Sequence, residues 1–291
     1  MSHGFNDWNV MPEHSYRIYE AVKAKGVPVQ IFYHQAGHGG PPPMRMMNRW
    51  FTRYLHGVQN GVEKEPKAWI VREGDDRTQP TPYKDYPNPG ASPVRLHLTS
   101  GAPAFGTLIL SSAADSEQGT ETLIDDVNFT GSQLAQEKYS NHRLLYLTPF
   151  LKDSVHLSGL SQITINAASN KPAVNLTVWL VSLPWNDKGR TPIYENIISR
   201  GWADLQNVGS LTSSEPLEPG KFYNMTFDLQ PDDQIIPPGQ RIGLMIFSSD
   251  REFTLWPEPG TQLSVDVNAT TLTLPVVGGE KAWEKATDDN Y

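Results

Sequence analysis

The sequence changes its period at Gly57, and that change limits what the chain can fold into. Before it, two stretches of helical spacing flank a short β-branched run. Residues 12–25 place Tyr16, Tyr19 and Ala21-Val22 near one face, open on Pro12-Glu13 and stop at Gly26. Residues 27–33 (Val-Pro-Val-Gln-Ile-Phe-Tyr) predict a strand, because β-branched and aromatic side chains suit a pleated surface. Pro41-Pro42-Pro43 closes the loop after it, and residues 44–55 resume a helix with Met47, Trp50, Phe51 and Leu55 as its apolar stripe.

After Gly57 the helical spacing stops. Residues 58–66 are polar and predict a linker. From residue 67 to about 279 come short alternating runs bounded by Pro, Gly, Asn and Ser. Examples are 68–71, 94–98, 162–167, 174–181, 223–229, 241–247 and 271–274. Many short strands joined by turn residues predict a mainly-β sandwich of jelly-roll type, with long loops at 74–93 and 112–123. The high content of Pro (24) and Gly (23) fits this architecture. Residues 280–291 are polar and predict a frayed tail.

Bulk properties exclude some functions. A net charge of −8 and few clustered Lys or Arg argue against a nucleic-acid partner. No run approaches the ~18 apolar residues of a membrane span, and the N-terminus has no apolar signal core. With Cys 0 there is neither disulfide nor thiolate chemistry, which fits a cytoplasmic protein. Met1-Ser2-His3 leads straight into a functional-looking loop, so the chain is expected to be a fragment of a longer enzyme.

Two loops carry the chemistry. Asp7 lies in Gly4-Phe5-Asn6-Asp7-Trp8-Asn9-Val10, and His38 in His34-Gln35-Ala36-Gly37-His38-Gly39-Gly40. Each follows a predicted strand and precedes a predicted helix. In a parallel sheet, both loops would lie beyond the carboxyl ends of neighbouring strands, where ligands bind. An α/β-hydrolase presents the acid and base of its Ser-His-Asp triad this way, in the chain order Ser, Asp, His. On spacing alone, a capping Asp and an ordinary loop His would serve as well.

The flanking residues add to this. The two segments resemble the Asp and His segments of X-prolyl dipeptidyl aminopeptidases, serine peptidases that share an α/β-hydrolase core with cocaine esterase and related acyl hydrolases. Val178-Trp179-Leu180-Val181, Ile198-Ser199-Arg200-Gly201-Trp202-Ala203-Asp204 and Pro237-Pro238-Gly239-Gln240-Arg241-Ile242-Gly243-Leu244 resemble the jelly-roll segments of the same family. The resemblance implies that residues 1–57 are the C-terminal end of a catalytic α/β-hydrolase domain. It makes Asp7 the triad acid and His38 the base, with His34 as the rival base. Trp8 and Val10 could wall a pocket for the substrate's proline ring, or simply pack locally. The implied partners are a peptide with penultimate proline, the rest of the catalytic domain and a second copy in a homodimer; no cofactor is implied. No serine has glycine two before and two after it, so the Gly-x-Ser-x-Gly nucleophile elbow is absent and the chain alone is expected to be inactive. An ester or amide acyl hydrolase of the cocaine esterase type, or a non-catalytic jelly-roll binding module, are the alternatives.

The remaining candidates are weaker. His97, His142 and His156 lack metal-ligand spacing. Asp115, Glu117, Glu121, Asp125 and Asp126 form an acidic stretch without the Asp-x-Asp-x-Asp-Gly calcium pattern. Trp179, Trp185, Trp202 and Trp256 could form a sugar-stacking platform or pack in the core and against the catalytic domain.

Overall fold

The period change at Gly57 is not the boundary between the two sheets. In the computed structural model, which describes residues 1–110, 118–186 and 196–287, the first sheet runs well past it. Strand β1 (Ser2–Gly4), helix α1 (Pro12–Ala24), β2 (Ile31–His34), helix α2 (Met44–His56), β3 (Ala68–Val71) and β4 (Thr81–Tyr83) follow one another. The sheet order is β1-β2-β3-β4. The pairings β1–β2 and β2–β3 are parallel, so each helix is a crossover, and β4 closes the sheet antiparallel to β3. Ala68–Val71, expected to open the sandwich, therefore extends the first sheet. A four-residue apolar run reads the same in either setting, and only the crossover through α2 decides.

Three other expectations shift for physical reasons. The strand predicted over 27–33 begins only at Ile31, whose N–H bonds the Lys67 carbonyl at 2.8 Å. Pro28, lacking an N–H, lies before the paired segment. The predicted linker is not free chain. A 3₁₀ turn at Val62–Lys64 buries Val62, and Arg49 of α2 holds Asn60 O and Glu65, both at 2.7 Å. Helix α2 has no buried residue, and Met44 and Leu55 are more than two-thirds exposed.

The larger assembly contains thirteen strands among the described residues. They are β5 (Ala91–Thr99), β6 (Gly106–Ile109), β7 (Thr120–Ile124), β8 (Leu144–Leu147), β9 (Val155–Gly159), β10 (Gln162–Ser169), β11 (Asn175–Leu183), β12 (Ile197–Asp204), β13 (Phe222–Asp228), β14 (Asp232–Ile236), β15 (Arg241–Phe247), β16 (Gln262–Asp266) and β17 (Thr271–Val277). Pairing is antiparallel except between β6 and β8. Val94 and Leu96 of β5, Ile163 of β10 and Leu272 of β17 share one core with Val178 of β11 and Leu244 of β15, so two layers close on each other. Alternation is strict where it counts. Val178 and Leu180 enter that core, while Trp179 and Val181 point to a second cluster under helix α3 (Gly131–Gln136).

The described part of the predicted frayed tail, residues 280–287, is instead helical. In α4 (Gly279–Thr287), Trp283 and Ala286 are fully buried in the main core, and the helix packs on β5 and β17. A single tryptophan anchors a segment whose average composition is polar.

Candidate functional site

The ends of β1 and β2 place the two predicted loops side by side. The Phe5 N–H bonds His34 O at 2.7 Å, and the Asp7 N–H turns back to Gly4 O at 3.2 Å. Gly4 permits this approach, since a Cβ there would lie 2.1 Å from Ala36 O. Asp7 is 3% exposed. Its Oδ1 accepts from the N–H groups of Asn9 (3.1 Å) and Val10 (3.0 Å), and its Oδ2 lies 2.9 Å from His38 Nδ1. Burial alone would raise the Asp7 pKa. The donors of Val10, His38 and Asn9 outweigh it and hold the carboxyl below its ordinary value. The His38 side chain is 62% exposed. With Nδ1 donating to the carboxylate, Nε2 is the free base of the ring.

His34 does not compete for this role. It is 1% exposed, its Nδ1 accepts the Ala36 N–H at 3.2 Å, and burial followed by the charge of Arg77 lowers its pKa to about 4. A ring held neutral inside the sheet is a packing element. The other two predicted residues separate. Val10 lines a cavity of about 330 Å³ together with His3, Asp7, His38 and Pro41. Trp8 does not line it. It turns to the sandwich, edge-on to Trp202 (6.1 Å) and Phe253 (6.3 Å), with the Arg200 guanidinium 4.3 Å from its ring centroid. The local-packing alternative describes its position.

Several residues around the site had no role in the sequence reading. Arg200 also stacks on Trp179, 4.3 Å from that centroid, and Asp250 Oδ2 accepts from the indole N–H of both Trp179 and Trp202 at 3.0 Å. Burial raises the Asp250 pKa, against the opposing charge of Arg200. Asn6 Nδ2 donates to Gln35 O (2.9 Å) and Oε1 (3.0 Å), joining the two loops. Gln35 Nε2 in turn reaches Asp232 Oδ1 (2.9 Å) and Asp233 O (3.1 Å) on β14. The Ser-Arg-Gly-Trp motif and the Asp232-Asp233 pair were visible as residues. Their partners lie too far away in sequence for spacing to reveal them.

The weaker candidates have structural places. Among the described residues, no group of three or more His, Cys, Asp or Glu could hold a metal. His142 stacks on Phe129, and His156 bonds Asp233. Asp115 and Glu117 lie outside the described residues. Glu121 accepts from Gly101 N, Ala102 N and the Tyr146 hydroxyl, Asp125 from Ser249, and Asp126 from Asn128. The four tryptophans do not form one platform: Trp179 and Trp202 share Asp250, Trp185 packs on the second cluster, and Trp256 is exposed. No helix among the described residues is long and apolar enough to cross a membrane.

The same fold occurs in hydrolytic enzymes. An aminopeptidase from the marine sediment archaeon Thaumarchaeota archaeon superposes with a TM-score of 0.74 at 16% identity, over 95% of this chain and 54% of that one. An α-amino acid ester hydrolase superposes with a TM-score of 0.69 at 15% identity, over 94% and 54%. At these identities the likeness is one of fold. The chain belongs to the family described as the X-Pro dipeptidyl-peptidase C-terminal non-catalytic domain, which matches residues 60–285. Asp7 and His38 fall before the matched segment. A Rhodopirellula baltica protein named "Putative Xaa-Pro dipeptidyl-peptidase" is 58% identical over 279 residues. That match takes in 96% of this chain but 44% of the relative's length.

Proposed function

We propose that this chain is the C-terminal portion of a cytoplasmic serine peptidase that releases X-Pro dipeptides from peptide amino termini. The first sheet with its helices, residues 1–83 and not only 1–57, would complete an α/β-hydrolase catalytic domain, and the thirteen-stranded assembly would be its jelly-roll domain. The observation that carries the reading is the 2.9 Å contact between His38 Nδ1 and the buried Asp7 Oδ2 at the carboxyl ends of adjacent parallel strands. In this reading, His38 takes the proton of a serine supplied by the preceding part of the enzyme and returns it to the leaving amine. Asp7 fixes the tautomer and stabilises the imidazolium. Val10, on the wall of the same cavity, would contact the substrate's proline ring. The exposed apolar stripe of α2 would be covered by the rest of the catalytic domain, and the complete enzyme would form a homodimer.

The test is turnover by the full-length protein on X-Pro-p-nitroanilide, on anilides lacking proline and on simple esters. Preference for the X-Pro substrate, with none hydrolysed by residues 1–291 alone, is the expected result. Preference for simple esters would instead favour an acyl hydrolase. No hydrolysis of any substrate by the full-length protein would favour a binding module.

A further inference from the structure

The carboxylate that orients His38 is shared by a second imidazole. His3, on β1, is 9% exposed, and its Nε2 lies 3.2 Å from Asp7 Oδ2, the oxygen that bonds His38. The same Nε2 is 2.8 Å from Val10 O, and its Nδ1 is 2.6 Å from Ser15 Oγ in α1. A carbonyl can only accept, so Nε2 carries a proton, and in the neutral ring the Ser15 hydroxyl donates to Nδ1. The tautomer is thus fixed by partners on both sides. The Nε2–H bonds the Val10 carbonyl, with Asp7 Oδ2 3.2 Å from the same nitrogen, so one ring joins strand, acid loop and helix. A buried strand position would ordinarily hold an aliphatic side chain.

We infer that His3 is a positioning residue for the proposed acid–base pair: it ties the acid loop at the Val10 carbonyl, lies against Asp7 Oδ2, and so fixes where the carboxylate holds the His38 imidazole. This inference rests on the catalytic reading of Asp7 and His38 given above. The geometry leaves Asp7 little freedom. Oδ1 is held by the N–H groups of Asn9 and Val10, and Oδ2 by the His38 ring, with the His3 ring 3.2 Å away. His3 also tempers the acid. The Nε2–H dipole, 3.2 Å from Oδ2, offsets part of the negative charge that would otherwise stabilise the His38 imidazolium. The titratable groups near this contact are Asp7, His38 and His34, with Arg77 acting on His34.

The experiment compares His3→Leu, His3→Gln and His38→Ala in the full-length peptidase acting on X-Pro-p-nitroanilide across pH. His3→Leu keeps bulk but has no donor. It should lower kcat by about tenfold to a hundredfold, leave KM within about twofold, and move the acid limb of kcat/KM to higher pH as Asp7 acts on His38 alone. His3→Gln, whose amide nitrogen can replace Nε2, should recover most of the loss and return the limb toward its original position. If His3→Leu does not fold, Ser15→Ala takes its place, with a smaller loss of kcat and the same direction of shift. Unchanged kcat and an unmoved limb in the donor-free variant would overturn the inference, as would a glutamine variant as impaired as the leucine one. His38→Ala keeps the two ideas apart. If it stays active, the catalytic reading itself fails; if it is inactive while His3→Leu behaves as the parent, only the role of His3 falls.

Discussion

Among the described residues, two Asp–His hydrogen bonds of nearly equal length sit in opposite surroundings. His38 Nδ1 meets Asp7 at 2.9 Å, and His156 Nε2 meets Asp233 at 3.0 Å. Both carboxylates are buried. Asp7, however, is held by backbone N–H groups and imidazoles, so its negative charge is available to His38, whose ring is largely exposed beside a cavity. Asp233 is also bound by Arg72 Nε at 2.7 Å and by the Tyr83 hydroxyl at 3.2 Å, and the His156 side chain is only 19% exposed. A guanidinium on the carboxylate neutralises the charge that would stabilise an imidazolium. The second pair is therefore a rivet between the first sheet and β14. An Asp–His distance alone does not separate the two pairs; the carboxylate's other partners and the exposure of the imidazole do.

The contrast can be broken by exchange of readouts. On the proposed catalytic reading, replacing His38 by Ala in the full-length protein should cost about 10⁴ in kcat and lower Tm only slightly, because the ring is largely exposed and Asp7 keeps its two backbone donors. Replacing Asp233 by Ala should do the reverse. It strands Arg72 at the seam and should destabilise the fold by about 3 kcal/mol, seen in denaturant unfolding, with kcat of the still-folded fraction close to normal. A folded but inactive Asp233→Ala enzyme would make the two pairs one machine and end the distinction. Trp8→Ala tests the link between the regions. Loss of the Arg200, Trp202 and Phe253 contacts should cost about 2 kcal/mol, and kcat should fall by about tenfold because Asp7 is the adjacent residue.

The sequence reading reached as far as local pattern allows. Helix–strand–helix order before Gly57, alternation in β11 and β15, and the proximity of Asp7 to His38 all follow from periods or from strand–loop–helix logic within some thirty residues. Beyond that range it went wrong or fell silent. Ala68–Val71 was placed in the wrong sheet because a short apolar strand carries no record of its partner. Trp283 was overlooked because one buried ring does not change a polar average. The Gln35–Asp232 bond spans 197 positions, and nothing in either segment announces the other. Met1-Ser2-His3 reads as the truncated start of a fragment, although His3 lies four residues before Asp7, within reach of a local reading.

Asp232 offers the finest test, because its titration should oppose that of Asp7. Burial pushes the Asp232 pKa up to about 8, despite the donors of Gln35 and the Asp233 N–H, and the charges of Asp233 and Glu73 raise it further. The folded protein then holds a proton that the unfolded chain releases near pH 4. Between pH 4 and 8 the native state binds more protons, so this group makes stability fall as pH rises and contributes no further change above that window. Asp7 has the opposite sign. Its folded pKa is depressed, so its contribution is present above the unfolded value and is lost as pH falls through the folded one. Asp232→Asn keeps an oxygen for Gln35 and the Asp233 N–H but cannot ionise. Its Tm should therefore decline less than the parent's from pH 5 to 8, while the acid limb below pH 4 stays the same. Asp7→Asn should flatten that acid limb and leave the slope from pH 5 to 8 intact. If Asp232→Asn follows the parent curve throughout, the buried carboxyl is not protonated in the fold, and the bridge from Gln35 to β14 is a charged one.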